Sequence, residues 1–199
     1  RLIKGTSDFG KELDSLTDFV SFGIAPVFLL YFWELNQYGK LGWAITLIYS
    51  VCCVLRLARF NLTKLDESQK WKNNFFEGIP SPAGGLLILM PLIYELANLN
   101  LSLDIKNSAP YLIMIVAILL VSKIPTFALK KISISSKATV FLLLTIGVIF
   151  ISLLFYTLET LLVFGLAYLA SIPVSIITYN HLSKKNLKKI SEEDHEDVL

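Results

Sequence analysis

The 199-residue sequence is 54% hydrophobic, only 17% charged, and carries a net charge of +2. A soluble domain of this size has no need for so much apolar surface, whereas a multi-span membrane protein does. Cys52 and Cys53 are adjacent in an apolar stretch, which excludes a disulfide framework or a zinc pattern, and no nucleic-acid partner is expected.

The chain opens at Arg1 with neither an initiator methionine nor a signal-peptide pattern, and it reads as a fragment whose N-terminal part is absent. Residues 1–12 are polar and basic, with Thr6, Ser7 and Asp8 offering helix-start chemistry before Phe9. Six apolar segments follow, at about 14–34, 41–58, 79–98, 109–129, 138–156 and 160–180. Each approaches or exceeds the roughly 17–25 residues a helix needs to cross hydrocarbon. The expected fold is all-α, a polytopic transmembrane bundle over residues 1–182, with a charged cytoplasmic tail over 183–199. No repeat or second domain is visible.

The connectors alternate. Those at 34–40, 99–107 and 156–160 are short and poor in Lys and Arg, while 61–78, 130–137 and the tail are basic. Of 18 Lys and Arg, only Lys40 and Lys106 fall on one side, leaving 16 on the other. The positive-inside rule places those 16 in the cytoplasm. Residues 61–78, with Trp71, Phe75 and Phe76 among lysines, read as an interfacial segment at headgroup level. In the tail, Lys184, Lys185, Lys188 and Lys189 suit an anionic leaflet. The acidic run after them reads as solvated and disordered.

Charge inside the membrane is the informative feature. Gly10, Asp14 and Asp18 are spaced four apart and so share one helix face, at the cytoplasmic end of a segment whose residues 19–33 carry no charge. A carboxylate in a bilayer costs on the order of 3 kcal/mol or more, and two in register repel. A divalent cation on oxygen ligands relieves both penalties. Arg56 and Arg59 lie on one face at the cytoplasmic end of the second segment, and Lys123 about a turn and a half from that end of the fourth. Three segments therefore bring charge to one depth, as expected of a polar cavity that takes phosphate. Pro80 and Pro82 open the third segment, and Gly84 and Gly85 would let a neighbouring helix approach closely.

At these residues the chain resembles the CDP-alcohol phosphotransferase family, whose motif runs Asp-x2-Asp-Gly-x2-Ala-Arg-x8-Gly-x3-Asp-x3-Asp. Arg1, Gly10, Asp14 and Asp18 reproduce its second half at the correct spacing. The stretches Leu13–Pro26, Leu55–Asn61, Gly78–Pro82 and Val121–Thr126 look like members whose acceptor is L-serine. The last two segments match only in hydropathy. The resemblance implies two Mg²⁺ or Mn²⁺ ions, with Asp14 bridging both and Asp18 binding the second and acting as general base. It also implies contacts from Arg1, Ser7 and Gly10 to the nucleotide end of CDP-diacylglycerol, and a homodimer among membrane lipids. The first two motif aspartates are missing, so the fragment is expected to be inactive alone. Arg56, Arg59, Asn61 and Lys123 are candidates for the serine carboxylate or the phosphate. Glycerol phosphate or inositol phosphate as acceptor is the nearest alternative. An ion-coupled transporter would instead predict midplane charge and internal symmetry, and neither is present.

Overall fold

The computed structural model describes residues 8–62, 75–98, 105–127 and 136–196. Arg1, Ser7, most of the expected interfacial segment and the connector at 130–135 lie outside the described residues.

The first helix runs from Asp8 to Trp33 in three registers: α1 (Asp8–Asp18), a π-helical stretch over Phe19–Ile24, and α2 (Ala25–Trp33). The π stretch is absent from the sequence expectation of one uniform segment. Pro26 supplies a reason for it, because it has no N–H to offer the Phe22 carbonyl four residues back. The hydroxyl of the fully buried Tyr49 donates to that carbonyl instead, at 3.0 Å. A 3₁₀ turn over Leu35–Tyr38 then leads to α3 (Lys40–Leu62).

The strand β1 (Phe75–Glu77) precedes α4 (Ser81–Leu96). A second 3₁₀ turn, Lys106–Ser108, opens α5 (Ala109–Val121). β2 (Pro125–Phe127) pairs antiparallel with β1, with Phe76 opposite Thr126, so the start of α4 is tied to the end of α5. α6 (Ser136–Phe155) and α7 (Thr157–Glu196) complete the chain, joined at a bend on Tyr156. The architecture is the expected helical bundle, with one two-stranded ribbon added.

Two boundaries differ from expectation. The fourth apolar segment stops at Val121 rather than near 129, because Ser122 turns extended and Pro125 cannot continue a helix. Lys123 therefore sits in the link beyond α5, exposed, rather than inside a membrane helix. The last helix continues to Glu196, so the tail through that residue is helical rather than disordered; no Pro or Gly interrupts residues 174–196.

Phe9–Trp33, Lys40–Leu62 and Thr157–Ser183 are long and apolar enough to cross a membrane. Ser81–Leu96, Lys106–Val121 and Val140–Phe155 are shorter apolar helices. The outer surface is apolar as well: Phe32, Leu47, Val51, Val54, Ile115, Ile118 and most of α6 from Val140 to Phe155 are exposed. A bundle clothed in this way is a membrane protein. Its core joins Val27 and Leu30 of α2, Tyr49, Cys53 and Leu57 of α3, Leu87 and Ile88 of α4, and Ile113, Val116 and Leu120 of α5. Gly84 and Gly85 do allow close approach: a Cβ would stand 3.0 Å from Leu120 Cδ2 at the first and 3.3 Å from the Phe22 carbonyl at the second.

At the end of the bundle away from Asp18, the Glu34 carboxylate has a side chain only 5% exposed and pairs with Lys106 Nζ at 3.3 Å. The Gln37 amide also donates to Glu34, and Lys106 lies over the Trp33 ring. Lys106→Ala strands a buried carboxylate, and since the lysine is 43% exposed its loss is expected to cost about 1–3 kcal/mol. Thermal melts of Lys106→Ala and of Glu34→Gln/Lys106→Ala check this. The double variant is expected to recover part of the loss, and equal melting of the two would show that the carboxylate was not stranded.

Candidate active site

α1 remains a regular α-helix through Asp18, so Gly10, Asp14 and Asp18 keep the common face their spacing demands. Gly10 and Asp14 are exposed, and Asp18 is half-buried where the π stretch meets the bundle. From α3, Arg56 comes within electrostatic reach of Asp18. The arginine is held in place by Nη1 donating to Ser81 Oγ at 3.1 Å and by stacking on the Phe60 ring, 5.3 Å from its centroid. Ser81 is completely buried at the first turn of α4. A helix N-terminus and a guanidinium thus face the same spot beside a carboxylate, and both favour an anion there.

Arg59, one turn further along α3, points a different way. Its Nη1 donates to the Val121 carbonyl at 2.7 Å and reaches Ser122 O at 3.5 Å, so the cation caps the carboxyl end of α5. Asn61 donates from Nδ2 to Ser15 Oγ at 2.9 Å, lashing the end of α3 to α1 one residue from Asp14. Arg56 and Asn61 are thereby gathered around α1, Arg59 anchors the neighbouring helix end, and Lys123 lies exposed in the adjoining link. Arg1 and Ser7 fall outside the described residues.

The donor chemistry of Asp14 and Asp18 suits hard cations such as Mg²⁺ or Mn²⁺. Two carboxylates are a partial set, and the described residues contain no group of three metal-ligating side chains.

Sequence reasoning missed three hydroxyls beside this cluster. Ser81 is one. Thr126, buried on β2, donates from Oγ1 to the Gly78 carbonyl at 2.7 Å. The third is Tyr168 on α7, whose hydroxyl lies near both Thr126 and Arg56. Among the described residues it has no hydrogen-bond partner, and neither has Ser175 Oγ, two turns along the same helix. A buried hydroxyl left unpaired costs about 1–3 kcal/mol. An apolar run holding Tyr168 and Tyr179 gave no sign that the first of them would lie beside this cluster.

Known proteins place this arrangement. The CDP-alcohol phosphatidyltransferase family model matches residues 1–122. A CDP-diacylglycerol–serine O-phosphatidyltransferase of Helicobacter pylori (strain ATCC 700392 / 26695) is 31% identical over 169 residues, 85% of this chain and 68% of that protein. A Mycobacterium tuberculosis (strain ATCC 25618 / H37Rv) protein of the same name is 41% identical over 90 residues, 45% of this chain and 31% of that protein. A third, from Methanocaldococcus jannaschii, is 43% identical over 83 residues, 42% of this chain and 36% of that protein. The match thus spans about a third of the mycobacterial and archaeal relatives and about two thirds of the Helicobacter one. With the family model covering more than half of its residues, the chain belongs to the CDP-alcohol phosphatidyltransferase family.

Proposed function

We propose that this chain forms the membrane-embedded catalytic domain of an enzyme that transfers the phosphatidyl group from CDP-diacylglycerol to L-serine, releasing CMP and phosphatidylserine. The observation that carries the reading is the Ser81-anchored Arg56 held within electrostatic reach of Asp18, in a chain whose relatives bear the name of that reaction. The excess of Lys and Arg on this side of the bundle supports an active site facing the cytoplasm. A lipid-linked diphosphate suits that boundary, because its acyl chains stay in hydrocarbon while its charge reaches the polar end.

Asp14 and Asp18 would hold part of a site for Mg²⁺ or Mn²⁺, and the bound ions would neutralise diphosphate oxygens and the charge growing on departing CMP. The remaining work belongs to the side chains. Arg1, Ser7 and Gly10 would bind the nucleotide end. Asp18 accepts the proton of the serine hydroxyl, which is otherwise a poor nucleophile near neutral pH. The freed oxygen attacks the phosphatidyl phosphorus, the bond to the CMP oxygen breaks, and CMP leaves with the electron pair. Arg56 holds the anionic group of the acceptor near that phosphorus. Arg59 and Asn61 fix the helices that carry the site, and Lys123 adds positive charge at its rim. The enzyme would work as a homodimer among membrane lipids.

The test is CMP release by the full-length protein supplied with CDP-diacylglycerol and, in turn, L-serine, glycerol phosphate and inositol phosphate. L-serine alone is expected to support turnover, and turnover with a phosphorylated alcohol but not with serine would overturn the reading.

A further inference from the structure

We propose that Tyr168 is an acceptor-binding residue: its hydroxyl donates to the anionic group of the incoming alcohol, the carboxylate in L-serine, which the Arg56 guanidinium also grips. The inference rests on the reaction assigned above and extends its site to α7, a helix outside the span matched by the family model.

Three observations carry it. First, Tyr168 Oη is buried without a partner among the described residues, although it sits beside two polar groups. Thr126 gives its own proton to the Gly78 carbonyl at 2.7 Å, Arg56 can only donate and gives Nη1 to Ser81 Oγ at 3.1 Å, and no group among the described residues stands in hydrogen-bonding geometry to Tyr168 Oη. The tyrosine proton is thus left for a further acceptor, and beside a guanidinium that acceptor is an anion.

Second, Tyr168 is part of a face, not an isolated residue. Tyr168, Ile172, Ser175 and Tyr179 follow one another at steps of four, three and four, which keeps them on one side of α7. Ile172 enters the bundle core, and Tyr179 packs edge-on against Phe75 of β1, with ring centroids 5.3 Å apart. That face is therefore turned toward the ribbon and the Arg56 cluster, and Ser175, only 1% exposed, adds a second unpaired hydroxyl to it.

Third, the placement separates two substrates. Asp18 reaches Arg56 from α1, which bears the carboxylates assigned to the metals and the diphosphate. Tyr168 comes within electrostatic range of the same guanidinium from α7, which packs alongside β2. In a displacement at phosphorus the entering oxygen and the leaving oxygen lie roughly in line on opposite sides. The acceptor fits the Tyr168 side, and the nucleotide fits the α1 side.

The experiment compares Tyr168→Phe with the unaltered full-length enzyme, varying L-serine at saturating CDP-diacylglycerol and then the reverse. The change removes one oxygen and leaves the ring to pack. The KM for L-serine is expected to rise about tenfold or more, the scale of a lost hydrogen bond to a charged group. The KM for CDP-diacylglycerol and the melting temperature are expected to stay near those of the unaltered enzyme. An unchanged serine KM overturns the proposal. A rise confined to CDP-diacylglycerol also overturns it, assigning the hydroxyl to the lipid phosphate, and equal rises in both KM values with a lowered melting temperature assign it to the fold. If the unaltered enzyme uses a different alcohol, the assignment of serine fails by itself. The same comparison then runs with that alcohol, where a raised KM upholds Tyr168 and an unchanged one overturns it.

Discussion

Asp18→Asn in the full-length protein is expected to reduce CMP release by about 10³-fold or more, with the helical fold retained. The two side chains are nearly isosteric, so the half-buried position at the end of α1 loses little packing. What disappears is the negative charge and the basic lone pair. Removal of a general base alone is worth about 10²–10⁴ in rate. Weakened grip on a divalent ion compounds the loss, and Arg56 forfeits the opposite charge within its reach. Glu12→Gln supplies the contrast. It lies two residues from Asp14, well round the helix from the Asp14–Asp18 face, and is exposed, so it is expected to keep nearly full activity. Activity above about a tenth of the unaltered level in Asp18→Asn would remove this carboxylate from the chemistry.

The carboxylates could be read from the sequence because their meaning lies in spacing. Gly10, Asp14 and Asp18 share a face on any α-helix, and an apolar stretch without charge follows them directly. The six apolar segments were legible for the same reason, since a run of that length needs no tertiary context. What escaped depends on partners remote in the chain. The ribbon has three residues per strand and joins positions about fifty apart, so neither strand carries a pattern of its own. The early end of α5 had a local sign in Pro125, which hydropathy overran, and Lys123 falls beyond the helix end with it. The π stretch had one too, in Pro26, but the residue that answers it is Tyr49, in the next helix. Arg59 could not be told from Arg56 by sequence, because both face the same way on α3. Only the packing shows one capping α5 and the other anchored on Ser81 within electrostatic reach of Asp18.

Gly78→Ala is expected to be the most damaging small substitution at this end of the bundle, lowering stability by about 3–5 kcal/mol and activity with it. Gly78 has φ +77, a conformation that an L side chain rarely adopts, and an added Cβ would stand 2.8 Å from Ser122 O and 2.9 Å from Leu120 O. Both are backbone atoms at the carboxyl end of α5, so neither can swing aside. The same residue donates its N–H to the Ile124 carbonyl at 2.8 Å and accepts from Thr126 Oγ1 at 2.7 Å. Pushing it away would therefore loosen the ribbon, the α5 end that Arg59 caps, and the entry to α4 where Ser81 holds Arg56. Gly39→Ala isolates the conformational part. That glycine also has positive φ, at +54, yet a Cβ there meets nothing within 4 Å, and its loss is expected to cost about 1–3 kcal/mol. Melting temperature and CMP release measured on both variants separate the effects. If the two alanines prove equally mild, the close seat of Gly78 against α5 does not hold the site together. If Gly78→Ala melts well below Gly39→Ala, the Arg56 anchor on α4 is positioned by backbone packed too tightly there to admit one methyl group.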